Sequence, residues 1–267
     1  MKTVLIAFML TLVVSVGVAQ DQNATATPDK LKAKAAQGDV KAQYELGLCY
    51  VNGNGVARDD KEAVQWYRMA AEGGYAQAQA DLGTCYAMGR GVSQDEVEAV
   101  KWTRKAADNG LAQAQFNLGS CYNDGRGVTR DHAEASVWYR KAAEQGDAQA
   151  QFNLGVYYKN GIGVSRSLSE AVKWFRQAAE QGHAQAQYDL GVCCYTGEGA
   201  KQDYGEAAKW FRQAAEKGDA QAQFNLGICY YQGQGVKQDR EETAKWWRKA
   251  AGQGHAQAAN NLRALGL

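Results

Sequence analysis

The chain has 267 residues, with 30 basic and 29 acidic side chains for a formal charge of +1. Both signs are interspersed, which leaves no electrostatic footprint for nucleic acid or for an acidic lipid surface. Hydrophobic residues at 45% against 22% charged exclude global disorder.

The amino-terminal stretch reads as a secretory signal peptide over residues 1–19. Met1-Lys2 gives a positive start, Thr3 to Val18 is an uncharged run of 16 residues, and the small residues Gly17-Val18-Ala19 place cleavage after Ala19. The alternative, an uncleaved anchor, meets the objection that the run is shorter than the roughly 20 residues a membrane span needs. No later segment is apolar enough to span a membrane. Loss of the leader removes only Lys2, leaving 29 basic against 29 acidic groups. Asn23-Ala24-Thr25 has the form of a glycosylation acceptor, meaningful only in a eukaryotic source.

Residues 20–38 form a tail and a capping helix. Lys30 to Gln37 resembles a lone second helix of the repeat that follows, with Lys30 in the slot held elsewhere by tryptophan.

A fixed period then governs the chain. Gly38, Gly74, Gly110, Gly146, Gly182, Gly218 and Gly254 are each 36 residues apart, and Trp66, Trp102, Trp138, Trp174, Trp210 and Trp246 keep the same phase. So do Leu-Gly, from Leu46-Gly47 to Leu226-Gly227, and Gly-x-Gly, from Gly53-Asn54-Gly55 to Gly233-Gln234-Gly235. Six copies follow without insertion, at 39–74, 75–110, 111–146, 147–182, 183–218 and 219–254.

Each copy predicts two helices. Ala42, Leu46, Cys49 and Tyr50 make one apolar stripe at helical period, and Gly53-x-Gly55 stops the helix where positive φ is required. Ala63, Trp66, Tyr67, Ala70 and Ala71 make the second stripe, with Gly74 at its end. Asp59-x-x-Glu62 predicts a capping box in which Asp59 accepts from free N–H groups and Glu62 reaches back. It recurs with Asp95, Asp131, Asp203 and Asp239, and with Ser167 in the fourth copy. One hairpin cannot bury both stripes, but stacked hairpins can. The predicted fold is therefore all-α, a superhelical α/α solenoid of six 36-residue helix-turn-helix repeats between terminal capping helices. At the far end, residues 255–267 read as a lone first helix in which Arg263 replaces the repeated Gly.

Ala-x-x-x-Leu-Gly-x-x-Tyr-x-x-Gly-x-Gly-Val-x-x-Asp-x-x-x-Ala-x-x-Trp, as in Ala42 to Trp66, resembles the Sel-one-like repeat, a relative of the tetratricopeptide repeat. The resemblance implies an adaptor built on a superhelix, often in exported bacterial proteins or in secretory-pathway quality control. A cysteine-rich secreted branch of that family bridges neighbouring helices with cysteine pairs, but here the matching region holds alanines such as Ala143 and Ala150.

Candidate chemistry yields little. Gly-x-Gly follows no strand and precedes no Gly-Lys-Ser/Thr, so it reads as a turn rather than a phosphate loop. His183 and His255 share one slot two repeats apart, about 20 Å if each repeat advances roughly 10 Å. They cannot share a metal and read, with His132, as solvated residues near helix starts. Cys49, Cys85, Cys121, Cys193 and Cys229 share a slot whose Cα atoms lie beyond the roughly 7 Å limit for a disulfide, and read as small buried hydrophobes. Cys194, which replaces the repeated Tyr, is the odd candidate for a thiol nucleophile, with His183 eleven residues earlier and no orienting third group. The repeated carboxylates are caps. No cofactor or metal site is expected.

What remains is a surface. If the first helices line the concave face, one outward stripe is Tyr44, Ala80, Phe116, Phe152, Tyr188 and Phe224, and a second is Val51, Ala87, Asn123, Lys159, Tyr195 and Tyr231. Gln77, Gln113, Gln149, Gln185 and Gln221 lie on the same helices. Aromatics flanked by amides suit a protein or peptide ligand laid in a groove, although the first stripe serves equally to pack helices together. The expected function is that of an exported (periplasmic or secreted), monomeric, non-enzymatic adaptor. The alternatives are a secreted hydrolase of cell-wall or β-lactam substrates and a structural component of an envelope complex.

Overall fold

The computed structural model describes residues 27–267, so the expected leader and the Asn23 pattern lie outside the described residues. All regular structure among them is helical. A short α1 (Pro28–Ala36) precedes six hairpins: α2 (Val40–Asn52) with α3 (Asp60–Glu72), α4 (Ala76–Met88) with α5 (Glu96–Asp108), and α6 (Ala112–Asp124) with α7 (His132–Glu144). Then come α8 (Ala148–Asn160) with α9 (Leu168–Glu180), α10 (Ala184–Thr196) with α11 (Tyr204–Glu216), and α12 (Ala220–Gln232) with α13 (Arg240–Gly252). A final α14 (Ala256–Leu265) closes the stack. Substantial packing joins only helices consecutive in the chain, as in a solenoid.

Local signals set the helix ends. Every hairpin turn begins at a left-handed glycine, Gly53 at φ 71° being the first, whose N–H donates to Cys49 O. All six second helices carry their side-chain cap. Asp59 Oδ1 accepts from Lys61 N at 2.9 Å and Glu62 N at 3.1 Å, and Ser167 Oγ accepts from Glu170 N at 3.3 Å. The reciprocal half of the expected box does not form, because the N–H it would satisfy is already taken. Asp59 N donates to Tyr50 O at 3.0 Å, and the bond recurs down to Asp239 N and Tyr230 O at 3.0 Å. The glutamates are thereby free for other partners: Glu206 and Glu242 accept from the indoles of Trp210 and Trp246 at 3.2 and 2.9 Å.

Within a hairpin the two helices cross at the glycine of Leu-Gly. A Cβ on Gly155 would stand 2.6 Å from the Phe175 ring, and one on Gly47 would stand 2.6 Å from Tyr67. Between hairpins, the second glycine of Gly-x-Gly lies against the start of the preceding second helix. A Cβ on Gly163 would meet His132 O at 2.2 Å. That glycine is needed for close approach as well as for its positive φ.

Consecutive repeats are joined by a buried amide. Gln79, only 4% exposed, donates from Nε2 to Ala71 O at 3.0 Å, a carbonyl of the last turn of α3. The same bond ties Gln43, Gln115, Gln151, Gln187 and Gln223 to Ala35, Ala107, Ala143, Ala179 and Ala215. Each of these carbonyls already accepts one backbone N–H at its helix end, as Ala71 O does from Gly74 N at 3.1 Å, and its second lone pair takes the glutamine, so the buried side-chain donor is satisfied. The end of the same repeat's second helix then reaches back: Asn109, Gln145, Gln181 and Gln253 donate to Gln79, Gln115, Gln151 and Gln223 Oε1 at 2.7–2.9 Å.

Two glycine substitutions separate crossing from propensity. Gly155→Ala forces a methyl into the Phe175 ring, and is expected to lower unfolding free energy by about 1–3 kcal/mol. Gly252→Ala, in a helix with nothing within 4 Å of the new Cβ, is expected to raise it by about 0.4–1 kcal/mol. Urea unfolding of both variants checks the pair.

Candidate functional site

Six copies of one hairpin place the same slot of every first helix on the same face, so the two expected stripes can be followed repeat by repeat. The first stripe spends its rings on packing. Tyr44 lies 5.6 Å from Tyr67 and 5.0 Å from Tyr75, between centroids, and donates its hydroxyl to Asp81 Oδ2 at 3.0 Å. Phe116 sits 5.8 Å from Tyr139, and Tyr188 sits 6.1 Å from Phe211. Phe152 and Phe224 are buried, at 9% and 6% exposure. Phe152 is held between Phe175 at 5.9 Å and His183 at 4.7 Å, and Phe224 between Trp247 at 6.1 Å and His255 at 4.4 Å.

The second stripe is more varied and more open. Asn123 Oδ1 accepts from Tyr157 of the following repeat at 2.6 Å. Lys159 forms an ion pair with Asp189 at 2.9 Å, partly shielded from water. Tyr195 donates to Gln234 Oε1 at 2.5 Å, with its ring 5.1 Å from Tyr204. Tyr231 has no such cover. Its ring touches Trp247, at 5.7 Å, and remains 43% exposed. It lines a cleft of about 290 Å³ together with Phe224, Ile228, Trp247, Gln257 and Leu265. The structure thus brings Phe224 and Tyr231 into one recess and leaves the other stripe residues spread along the stack.

Several residues that share this face escaped the sequence reading. Asp81 and Asp189 occupy the slot that Asn117, Asn153 and Asn225 hold elsewhere. Burial raises the Asp81 pKa above 3.8, against the opposing hydrogen bonds from Tyr44 and Gln77. The buried Gln79 series also went unread. Its signal was a polar residue repeated without change beside Ala and Leu on an apolar stripe.

The odd residue Cys194 has a structural explanation. In the other repeats an arginine of the second helix donates to the tyrosine 18 positions later: Arg68 to Tyr86, Arg104 to Tyr122, Arg140 to Tyr158 and Arg212 to Tyr230. With Cys194 in the tyrosine slot, Arg176 pairs with Glu206 instead. The Cys194 side chain is fully buried, and desolvation followed by the Glu206 charge pushes its pKa up to about 12. Nucleophilic cysteines need the thiolate, which this environment opposes. All six cysteines are free, and Cys85, Cys193 and Cys229 are likewise buried.

His183 and His255 are not the solvated groups expected. Each caps a first helix through Nδ1 and touches the repeat before it through Nε2. Among the described residues no cluster of three or more His, Cys, Asp or Glu is placed to hold a metal, and no helix is long and apolar enough to cross a membrane.

A stack of helix hairpins that bond only to their sequence neighbours, with side chains repeated at 36-residue spacing, defines an α/α solenoid repeat protein. The Sel1 repeat pattern matches residues 40–75, 76–111, 112–147, 148–183, 184–219 and 220–255, and the chain belongs to the Sel1 repeat family. It is a repeat scaffold of the kind associated with protein–protein interaction.

The chain is similar to c5321, a protective antigen of uropathogenic Escherichia coli with this fold, at 42% identity and a TM-score of 0.80. That match covers 87% of this chain but 50% of the antigen. A Sel1 repeat protein from Oxalobacter formigenes is 35% identical with a TM-score of 0.67, over 84% of this chain and 91% of that one. A shorter match, 45% identical over 42 residues, is to the secretory immunoglobulin A-binding protein EsiB of Escherichia coli O6:H1. It covers 16% of this chain and 9% of EsiB, so the chain spans only a small part of that relative's length.

Asp81→Asn is expected to stabilise the protein at neutral pH. A carboxyl whose pKa is raised by folding contributes stability while protonated and loses it as pH rises through the folded value. The asparagine keeps an acceptor for Tyr44 and removes the buried charge. Thermal unfolding across pH 4 to 7 should show a higher midpoint at pH 7 and a flatter pH dependence than the parent.

Proposed function

We propose that the protein is an exported, non-enzymatic adaptor that holds a protein or peptide ligand along its first-helix face, acting as a monomer and without a cofactor. The observation that carries this reading is the division of labour on that face. Side chains shared by all copies, the seam glutamines and the crossing glycines, are consumed in joining helices. The slots that vary, Asn123, Lys159, Tyr195 and Tyr231, are the ones left half-buried or exposed. Variation where the surface is open is how one scaffold selects one partner.

The energy of such contacts concentrates in a few large, partly apolar side chains. Tyr231, with its cleft and its exposed ring, fits that role at one end, and Tyr195 stands one repeat away. Phe152 and Phe224 contribute from beneath by supporting the surface, while Tyr44, Phe116 and Tyr188 offer ring edges. The domain organisation that goes with this reading is a leader at 1–19, a tail and cap at 20–38, repeats at 39–254 and a closing helix at 255–267. The leader-like residues supply the case for export. The EsiB and c5321 similarities fit a bacterial protein that meets other proteins, and no more is carried over from them.

Replacing Tyr195 and Tyr231 together by alanine should weaken capture of the native partner, identified by crosslinking and mass spectrometry, at least tenfold, or about 1.4 kcal/mol or more. Thermal stability should change little, because both rings lie at the edge of the core. Unchanged capture by the folded double variant would remove the first-helix face from consideration.

A further inference from the structure

The seven first helices begin at one slot, occupied in turn by Asp39, Tyr75, Leu111, Asp147, His183, Asp219 and His255. Asp147 and Asp219 cap in the ordinary way, each Oδ1 accepting at 2.7 Å from the N–H of Ala150 or Ala222. His183 does the same work with an imidazole: Nδ1 lies 3.2 Å from Ala186 N. A backbone N–H can only donate, so Nδ1 must carry no proton, and the neutral ring is the Nε2–H tautomer. That Nε2 points back one repeat and lies 3.2 Å from Gln149 Oε1, an acceptor. The ring is stacked on Phe152 at 4.7 Å. His255 repeats the arrangement, with Ala258, Gln221 and Phe224 as its three contacts, so the geometry is not an accident of one repeat.

One side chain therefore caps α10, ties it to α8 through Nε2–H and covers a buried aromatic, and the cap is the contact that depends on an unprotonated Nδ1. A proton there would set N–H against N–H and place a cation at the positive end of a helix. The charged groups that face the ring are Lys217 from the end of α11, Asp189 of α10 and Asp147 at the start of α8. The Lys217 ammonium is held close by, donating to Gly182 O. Burial first, and Lys217 second, hold the imidazole below its ordinary value of 6.5.

We propose that His183 is an acid-labile cap at the junction of the fourth and fifth repeats: its protonation uncaps α10, while the aspartate-capped α8 and α12 on either side stay closed. The sign follows from linkage. A histidine that folding keeps neutral contributes its full stability above the unfolded pKa, about 6.5, and loses it as pH falls below that value. Aspartate caps lose theirs only near their own, lower pKa, so between pH 7 and 5 the effect is confined to the histidine junction.

The test compares equivalent amides within one molecule. Native-state hydrogen exchange of the full chain, corrected for intrinsic rates, should show protection at Ala186 falling at least fivefold from pH 7 to pH 5. Ala150 and Ala222 should change less than twofold. Nitrogen chemical shifts of the imidazole at pH 7.5 should report the Nε2–H tautomer for His183. In His183→Asp, which places in this slot the residue its neighbours carry, Ala186 should follow Ala150. A parallel response of all three amides, an Nδ1–H tautomer, or a fall at Ala186 that persists in His183→Asp would overturn the proposal.

Discussion

Each repeat is fastened to the one before by a single amide bond in an apolar seam: the glutamine Nε2 of a first helix on a last-turn carbonyl of the preceding second helix. Alanines line that seam and allow the helices to approach closely, but alanine brings no polar group with which to join one helix to the next. A buried glutamine amide without a partner would cost free energy of the order of 1–3 kcal/mol. The glutamine donates to the second lone pair of a carbonyl that already holds one backbone bond, and its own oxygen accepts from an amide at the far end of its own repeat. Shape alone would let hairpins slide along one another. This bond has direction and length, so it sets the register from repeat to repeat.

The points where this chain of amides is interrupted are informative. Gly73 stands where the other repeats place Asn109 or Gln145, and the Gln43 Oε1 is left buried without a hydrogen bond. Lys217 stands in the same slot after Gln187, whose Oε1 is also unpaired, and its ammonium turns instead to Gly182 O. The fifth repeat also carries Cys194 in place of tyrosine, with Arg176 diverted to Glu206. Three departures from the repeated pattern thus meet around the junction that His183 spans. The fifth repeat keeps the fold with a different set of bonds from its neighbours.

The first-helix face shows how a repeated fold restricts where function can sit. Aromatic side chains at its first stripe carry most of their area into contacts with the next helix, so their identity answers to packing before it answers to any ligand. The second stripe lies two turns later, past the crossing point at the Leu-Gly glycine, and Asn123, Lys159 and Tyr195 meet the following repeat through their polar ends. Tyr195 is covered by Gln234 and Tyr204, whereas Tyr231, followed only by the short α14, is not. Exposure at that end follows from stacking, since every slot is covered by the repeat after it.

The period, the helix pairs, the caps and the turn glycines were all legible in the sequence, because each depends on residues within a few positions of one another. Spacing of 36 and the 3.6-residue stripe are local facts that survive any arrangement in space. Partners were not legible. The capping glutamates were expected to close their own boxes, but a carbonyl nine residues earlier had claimed the N–H, as between Tyr50 and Asp59. The histidines were expected in water, yet they lie on phenylalanines 31 residues before them. Cys194 drew attention as a nucleophile, yet burial and the Glu206 charge raise its pKa and oppose the thiolate. In each case the deciding neighbour comes from another helix. Sequence periodicity determines which slot a residue fills, and only the stacking of hairpins decides what that slot touches, how dry it is and which of its atoms remain free.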